Sequence, residues 1–337
     1  MKPCRFIAVA VLSLSALTGC QMILAEAAVD HYVAGKLAAE SENYQLALAE
    51  LARAVRFDPG LSLAHTAIGD IHRKQGNCAM AAVAYENACQ VNAYAFRPHY
   101  NLGVTYQMLA QQAKGDDAMT AYIAKAIHTY LRAVTIRPKD FDANLNLSAC
   151  YFQQGKFELA VQYCAASTAI DPKNPFAFSN LAIIHEAQGK PYDAIGAYRK
   201  SLELDEHQPK IWLNLGTTYA RIGRMPQALN AFGFAAREDP RWPVPWVQMG
   251  SCHFHMKQWD QALAAYTKAL ELDGDCAEAH RGLGVIYMSR YVVDRTLTDM
   301  RDKALDSWTR SLELDSSQQD LVNLVRKYTP TYAVPEL

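Results

Sequence analysis

Glycine and proline are sparse for the length, 17 and 14 in 337 residues, while half of the chain is apolar. A collagen-like or intrinsically disordered chain is thereby excluded. Neither sign of charge is in excess: 33 basic side chains face 34 acidic ones, for a net charge of −1. Such a balance gives no global attraction to nucleic acid, and none is expected as a partner. After residue 20 no long apolar run recurs, so the rest of the chain is expected to be soluble. Local signatures of chemistry are missing as well. Gly189-Lys190 is followed by Pro191, which spoils a phosphate loop, and no His-Glu-x-x-His occurs. Gly282-Leu283-Gly284 opens no dinucleotide fingerprint. No catalytic residue, metal ligand or cofactor is assigned.

What is present is a repeat. Small residues recur at Gly35, Gly69, Gly103, Ser148, Ala182, Gly216, Gly250 and Gly284, spaced by 34 except for one gap of 45. A second series runs Ala47, Ala81, Ala126, Ala160, Ala194, Ala228, Ala262 and Ala304, again mostly at 34. In one copy Trp212, Leu215, Gly216, Tyr219, Ala228, Phe232, Ala235 and Pro240 take positions 4, 7, 8, 11, 20, 24, 27 and 32 of a 34-residue unit. Positions 4, 7, 8 and 11 share one face of a helix, and 20, 24 and 27 share one face of a second. Small residues at 8 and 20 let the two helices approach, and large ones at 4, 11 and 24 fill the flanks. Proline at 32 (Pro59, Pro138, Pro172, Pro240) stops the second helix. Each hairpin leaves an apolar face open and must stack on its neighbours.

This pattern resembles the tetratricopeptide repeat over residues 28–318. The resemblance implies an all-α, right-handed superhelical solenoid of eight helix-turn-helix repeats with a capping helix. The division expected is 1–19 a signal peptide, 20–27 a short tether, 28–318 the repeats, and 319–337 the capping helix and tail. Repeat 3 carries 11 extra residues around Lys114-Gly115-Asp116-Asp117, and repeat 8 carries 8 between Gly284 and Ala304. They are either tolerated drift at an exposed turn or a protruding contact for a partner or a second copy.

Histidine and cysteine look clustered until placed on the repeat. His31, His65, His99 and His280 fall at position 4, and His72, His185 and His253 at position 11. They are expected to be buried stand-ins for aromatic rings. His253 and His255 point to different helix faces, so a shared metal is not expected. Six cysteines follow Cys20: Cys78, Cys89, Cys150, Cys164, Cys252 and Cys276. Their repeat positions favour small buried free thiols over a disulfide framework.

The N-terminus reads as a targeting segment. Lys2 and Arg5 precede an apolar run from Phe6 to Leu17, which ends in Leu17-Thr18-Gly19-Cys20. The tetrapeptide resembles a bacterial lipobox, which implies lipidation at Cys20. Gln21 in place of Asp then implies the outer membrane, at its periplasmic face, if the cell is Gram-negative. Rival readings are ordinary cleavage after Ala25-Glu26-Ala27 and an uncleaved anchor.

In similar proteins the first helices line a concave groove. Position 6 there holds Asn101, Asn146, Asn180, Asn214 and Gln248, amides able to bond the backbone of an extended peptide. Tyr100, Leu145, Phe152 and Phe176 would join them in an apolar strip across repeats 3 to 5, an expected partner site unless its side chains cover one another. The expected function is a non-enzymatic protein-interaction scaffold of the bacterial cell envelope, binding a segment of a partner protein or peptide. The alternatives are a catalytic or metal-binding module, and a cytosolic regulator with an intact N-terminus.

Overall fold

The computed structural model describes residues 24–329. Every regular element among them is helical, and the chain divides into two compact units, one ending at Pro172 and one beginning at Lys173. The first unit pairs α1 (24–40) with α2 (Tyr44–Phe57), α3 (Ser62–Lys74) with α4 (Cys78–Val91), α5 (Phe96–Gln112) with α6 (Asp116–Ile136) and α7 (Phe141–Gln153) with α8 (Phe157–Ile170). The second pairs α9 (Pro175–Ala187) with α10 (Pro191–Leu204), α11 (Pro209–Arg221) with α12 (Met225–Glu238), α13 (Val244–His255) with α14 (Trp259–Leu272) and α15 (Ala277–Val293) with α16 (Thr298–Leu314). It ends in α17 (Gln319–Tyr328). These are the eight expected hairpins, four in each unit. Residues 24–27, expected in a tether, are already helical and belong to α1.

Packing follows the two small-residue series. The position-20 alanines, Ala47 through Ala304, are all wholly inaccessible to solvent. Position 27 behaves alike, with Ala54, Ala88, Ala133, Ser167, Ser201, Ala235, Ala269 and Ser311 buried to the same degree. Its serines cap backbone carbonyls: Ser201 Oγ donates to Pro175 O at 2.9 Å and Ser311 Oγ to Ala277 O at 2.8 Å. At position 8 the ring at position 24 lies directly on the glycine. A Cβ built on Gly69 would stand 2.6 Å from Tyr85 Cε1, and one on Gly216 2.5 Å from Phe232 Cε1. α17 closes the second unit by seating Leu321, 1% exposed, with Leu324 and Val325 against Trp308 and Met288. It is the expected capping helix.

The turn within each hairpin is equally regular. Residue 15 of the unit takes a left-handed backbone, which glycine adopts without steric cost: Gly76 (φ 78°), Gly155 (69°), Gly189 (69°) and Gly223 (78°). The next N–H returns to the position-11 carbonyl, as from Asn77 to His72 at 2.9 Å and from Arg224 to Tyr219 at 2.9 Å. In two hairpins a residue with a Cβ occupies the same place, Glu42 and Lys257, both at φ 59°.

The long hairpins can be apportioned. α5 has 17 residues against 13 in α3, and α6 has 21 against 14 in α4. The eleven extra residues of repeat 3 are therefore four on one arm and seven on the other, extensions of about 6 and 10 Å. In repeat 8 each arm has 17 residues and the turn between them has four.

The histidines depart from expectation. Of the seven at positions 4 and 11 only His99 is buried; the others are half-buried. At position 4 the ring supplies an N–H to the turn that joins one hairpin to the next. Nε2 of His65, His99 and His280 lies 3.1 Å from the carbonyl oxygens of Pro59, Ala93 and Gly274. Asn144 and Trp212 make the same six-residue bond, to Pro138 O at 3.0 Å and Glu206 O at 2.9 Å. Five repeats thus use the slot to offer a side-chain N–H at a fixed reach, whereas Phe178 in repeat 5 fills it with a ring alone and His31 in repeat 1 lies 2.6 Å from Glu50 Oε2.

Candidate functional site

In the second unit the first-helix face is built on α9, α11 and α13. Asn174 caps α9, its Oδ1 accepting from the N–H groups of Phe176 (3.0 Å) and Ala177 (3.3 Å). Phe176 is thereby fixed in the first turn, 63% exposed. Asn180 lies four residues on and Ile183 three further, so all three share one helix face. Asn180 is half-buried, and among the described residues no hydrogen bond reaches its amide. Gln248 on α13 is in the same state, and Leu213 and Val247 beside the series are half-buried. Asn214 is half-buried and reaches the Tyr198 hydroxyl.

The charge behind this face is tied down by Glu186. Its carboxylate accepts from Tyr198 Oη at 2.8 Å, from Thr218 Oγ1, and from Arg221 at 3.3 Å. Burial and then the Glu186 contact push the Tyr198 phenol above its usual value, so it stays a donor. The neighbouring hairpins are thus tied together through one carboxylate.

The first unit treats its share of the predicted residues differently. Asn101 is buried, and its Nδ2 donates to Asp70 Oδ1 at 2.9 Å. Asp70 also accepts from Tyr85 Oη at 2.7 Å and from Arg97 at 2.7 Å. That rung of the predicted ladder is structural: the amide serves a carboxylate on the preceding first helix and is not free for a peptide. Asn146 is half-buried and donates to the Tyr100 hydroxyl at 3.4 Å. The Tyr100 ring stacks on Phe96 (centroids 5.8 Å apart) and tilts against Tyr130 (6.0 Å). Phe152 lies against Phe157 at 5.8 Å, and Leu145 is half-buried. Side chains here cover one another, the outcome weighed against an open strip. The bonds that Asp70 and Glu186 make to Arg97, Asn101, Thr218 and Arg221 escaped the sequence reading because those partners sit in the adjacent repeat, about one period away.

Other candidate chemistry is scattered. His253 Nδ1 lies 2.7 Å from Gln258 Oε1, while His255 is exposed with its ring edge toward Phe254. Among the described residues no group of three or more His, Cys, Asp or Glu is arranged to hold a metal ion. None of the six cysteines after Cys20 is joined in a disulfide; five are buried and Cys89 is half-buried. Burial raises the Cys89 and Cys150 thiols to about 12 and those of Cys164 and Cys252 to about 11, away from nucleophilic reactivity. No helix among the described residues is long and apolar enough to cross a membrane. The signal segment, the lipobox and Cys20 lie outside the described residues, as do residues 330–337.

Comparison with known families agrees with this geometry. Tetratricopeptide-repeat family models match residues 109–175 and 179–241, and a third stretch at 243–276. Over these stretches the chain matches tetratricopeptide repeats, a class whose members are typically non-catalytic interaction scaffolds. Among solved structures, a tetratricopeptide repeat protein from Parabacteroides merdae aligns with a TM-score of 0.53 at 15% identity, over 80% of this chain and 99% of that one. The Cut9–Hcn1 hetero-tetramer of APC/C aligns at 0.50 and 15% identity, over 84% of this chain and 52% of that one. YrrB, described as a TPR protein with an unusual peptide-binding site, aligns at 0.47 and 17% identity, over 58% and 97%. At such identities the shared property is the fold. No curated protein matches the sequence significantly.

Proposed function

We propose that the chain is a protein-interaction scaffold of the bacterial cell envelope, tethered by a lipidated Cys20, and that it holds an extended segment of a partner on the first-helix face of its second unit. The observation that carries the reading is the pairing of an exposed ring, Phe176, with the unbonded amide of Asn180 one helical turn away. Asn214 and Gln248 repeat the amide at intervals of 34. A carboxamide offers both donor and acceptor, so such a row matches a peptide backbone whatever its side chains, and the ring supplies apolar contact area. Asn101 is left out of the binding set because Asp70 already occupies it.

The binding half is tested with Asn180→Ala combined with Asn214→Ala and, separately, Phe176→Ala, in the full chain. Each net hydrogen bond contributes about 0.5–1.5 kcal/mol, so the double variant, losing about 1–3 kcal/mol, should weaken a crosslinked and purified envelope partner by about 5- to 150-fold without altering the melt. Unchanged affinity in both variants would remove this face from the function. The envelope half rests on the apolar run and Leu17-Thr18-Gly19-Cys20, since a multiply acylated terminus anchors stably. Cys20→Ala should abolish fatty-acid labelling and release the protein from membranes; unchanged labelling and recovery would refute the anchor.

A further inference from the structure

The long hairpin of repeat 3 borders a cavity of about 610 Å³ in the first unit. Its position follows from the helix lengths: the extended ends of α5 and α6 overhang the short turn between α7 and α8, and the space beneath has no counterpart helix to fill it. The volume lies in the range of ligand sites, about 300–1,000 Å³. The lining is unusual for a gap between helices. Four glutamines face it, Gln107 and Gln111 from α5 and Gln153 and Gln154 from the α7–α8 turn region, over an aliphatic floor that includes Ile123. Lys156 stands at its edge, exposed, and no ion pair reaches it among the described residues. Gln154 carries a second anomaly: its Oε1 is buried with no hydrogen-bond donor. A buried unsatisfied acceptor is uncommon and calls for a partner.

We infer that this cavity is a second binding site, for a short extended peptide bearing one carboxylate. A carboxamide carries both donors and an acceptor, the complement of the N–H and C=O groups of a peptide backbone. The terminal torsion of a glutamine is soft, so a turn of the Gln154 amide brings its stranded oxygen to the cavity, where a backbone N–H supplies the missing donor. Lys156 then pairs with the carboxylate of an acidic residue or of a peptide C-terminus. No aromatic ring and no carboxylate lines the cavity. That disfavours a nucleobase, which stacks on rings, and any cationic ligand, which would need an acid. The site is independent of Phe176 and Asn180, which belong to the other unit.

The test uses the full chain, immobilised, and a displayed library of random twelve-residue peptides. Enriched peptides are then synthesised and their affinities measured on the wild type, on Gln111→Ala combined with Gln153→Ala, on Lys156→Glu, and on Asn180→Ala as the control for the other face. The three altered residues of the hairpin site are exposed or at its rim, so folding is retained, and a melt confirms it for each variant. One class of peptides should carry an Asp, a Glu or a free carboxyl terminus, lose at least tenfold in affinity with Lys156→Glu and with the double glutamine variant, and be indifferent to Asn180→Ala. Enrichment of peptides that all ignore the hairpin variants would overturn the inference while leaving the first-helix face intact. Hairpin-dependent peptides without any acid would overturn the assignment of ligand class.

Discussion

Replacing Gly216 with leucine tests the contact on which each hairpin is built. A Cβ at this position would stand 2.5 Å from Cε1 and 2.6 Å from Cδ1 of Phe232. Carbon atoms in ordinary contact sit about 3.5–4.0 Å apart, so the ring or the helix must move by about 1 Å before the rest of the side chain is added. Phe232 is wholly buried, and close-packed interiors yield little space. Overpacking of this kind costs about 1–3 kcal/mol, against which the loss of a helical glycine returns about 1 kcal/mol. Leucine adds three further carbons behind the clashing one, so a net loss near the upper end, about 3 kcal/mol, is expected. Alanine should cost less: in repeat 5 the same slot holds Ala182 opposite Tyr198. Denaturant melts of the wild type and the two variants give the ranking, and hydrogen exchange across α11 and α12 shows whether the loss is local, because a repeat array need not unfold in one step. The double variant Gly216→Ala with Phe232→Leu should recover part of the cost of the two single changes, a coupling expected only for residues in contact. A Gly216→Leu melt superimposable on the wild type, with unchanged exchange in α11 and α12, would refute the close-approach argument.

Lys257→Gly should stabilise the second unit by about 1 kcal/mol, since a left-handed residue with a Cβ is strained by about that much; a melt shifted downward would show that the lysine side chain matters more than its backbone. His99 has its pKa lowered by burial, so the folded state favours the neutral ring; its contribution is complete above the ordinary histidine pKa and is lost as pH falls through the lowered value. His99→Asn should keep the bond to Ala93 O, as Asn144 does with Pro138 O, and should flatten the fall in stability as pH drops below about 6.5; an unchanged pH profile would count against it. The thiols of Cys89, Cys150, Cys164, Cys252 and Cys276 should react slowly with a disulfide reagent at pH 8 in the folded chain and promptly once it is unfolded, because burial holds them protonated; prompt reaction of these thiols in the folded chain would contradict that burial.

The hairpins were legible because close packing leaves a periodic trace. Ala47 and its seven counterparts announce the helix contact by being small, and Gly216 announces the ring of Phe232. How the eleven residues of repeat 3 divide between its arms was not legible, since helical periodicity continues smoothly across both extensions and marks no insertion point. The role of His65, His99 and His280 was misread because their shared slot also admits Phe178 and Trp212, which made ring size look decisive, whereas these three histidines, like Asn144, use it to offer an N–H to the preceding turn. Asn101 looked identical to Asn180 by position; what separates them is Asp70, 31 residues earlier on another helix. Single-repeat patterns hold no record of such neighbours.

The lengths of the hairpins have a mechanical consequence. A chain pulled from its two ends gives up its helices one hairpin at a time if each is closed by its own small-residue contact and its own turn. An extended chain measures about 3.3–3.6 Å per residue, so a 34-residue hairpin releases about 110–120 Å of thread. Repeats 3 and 8, longer by 11 and 8 residues, release about 150–160 Å and 140–150 Å. Under tension the protein is therefore a ruler with two marked divisions, and a force–extension trace would report by step size when repeat 3 or repeat 8 has just opened.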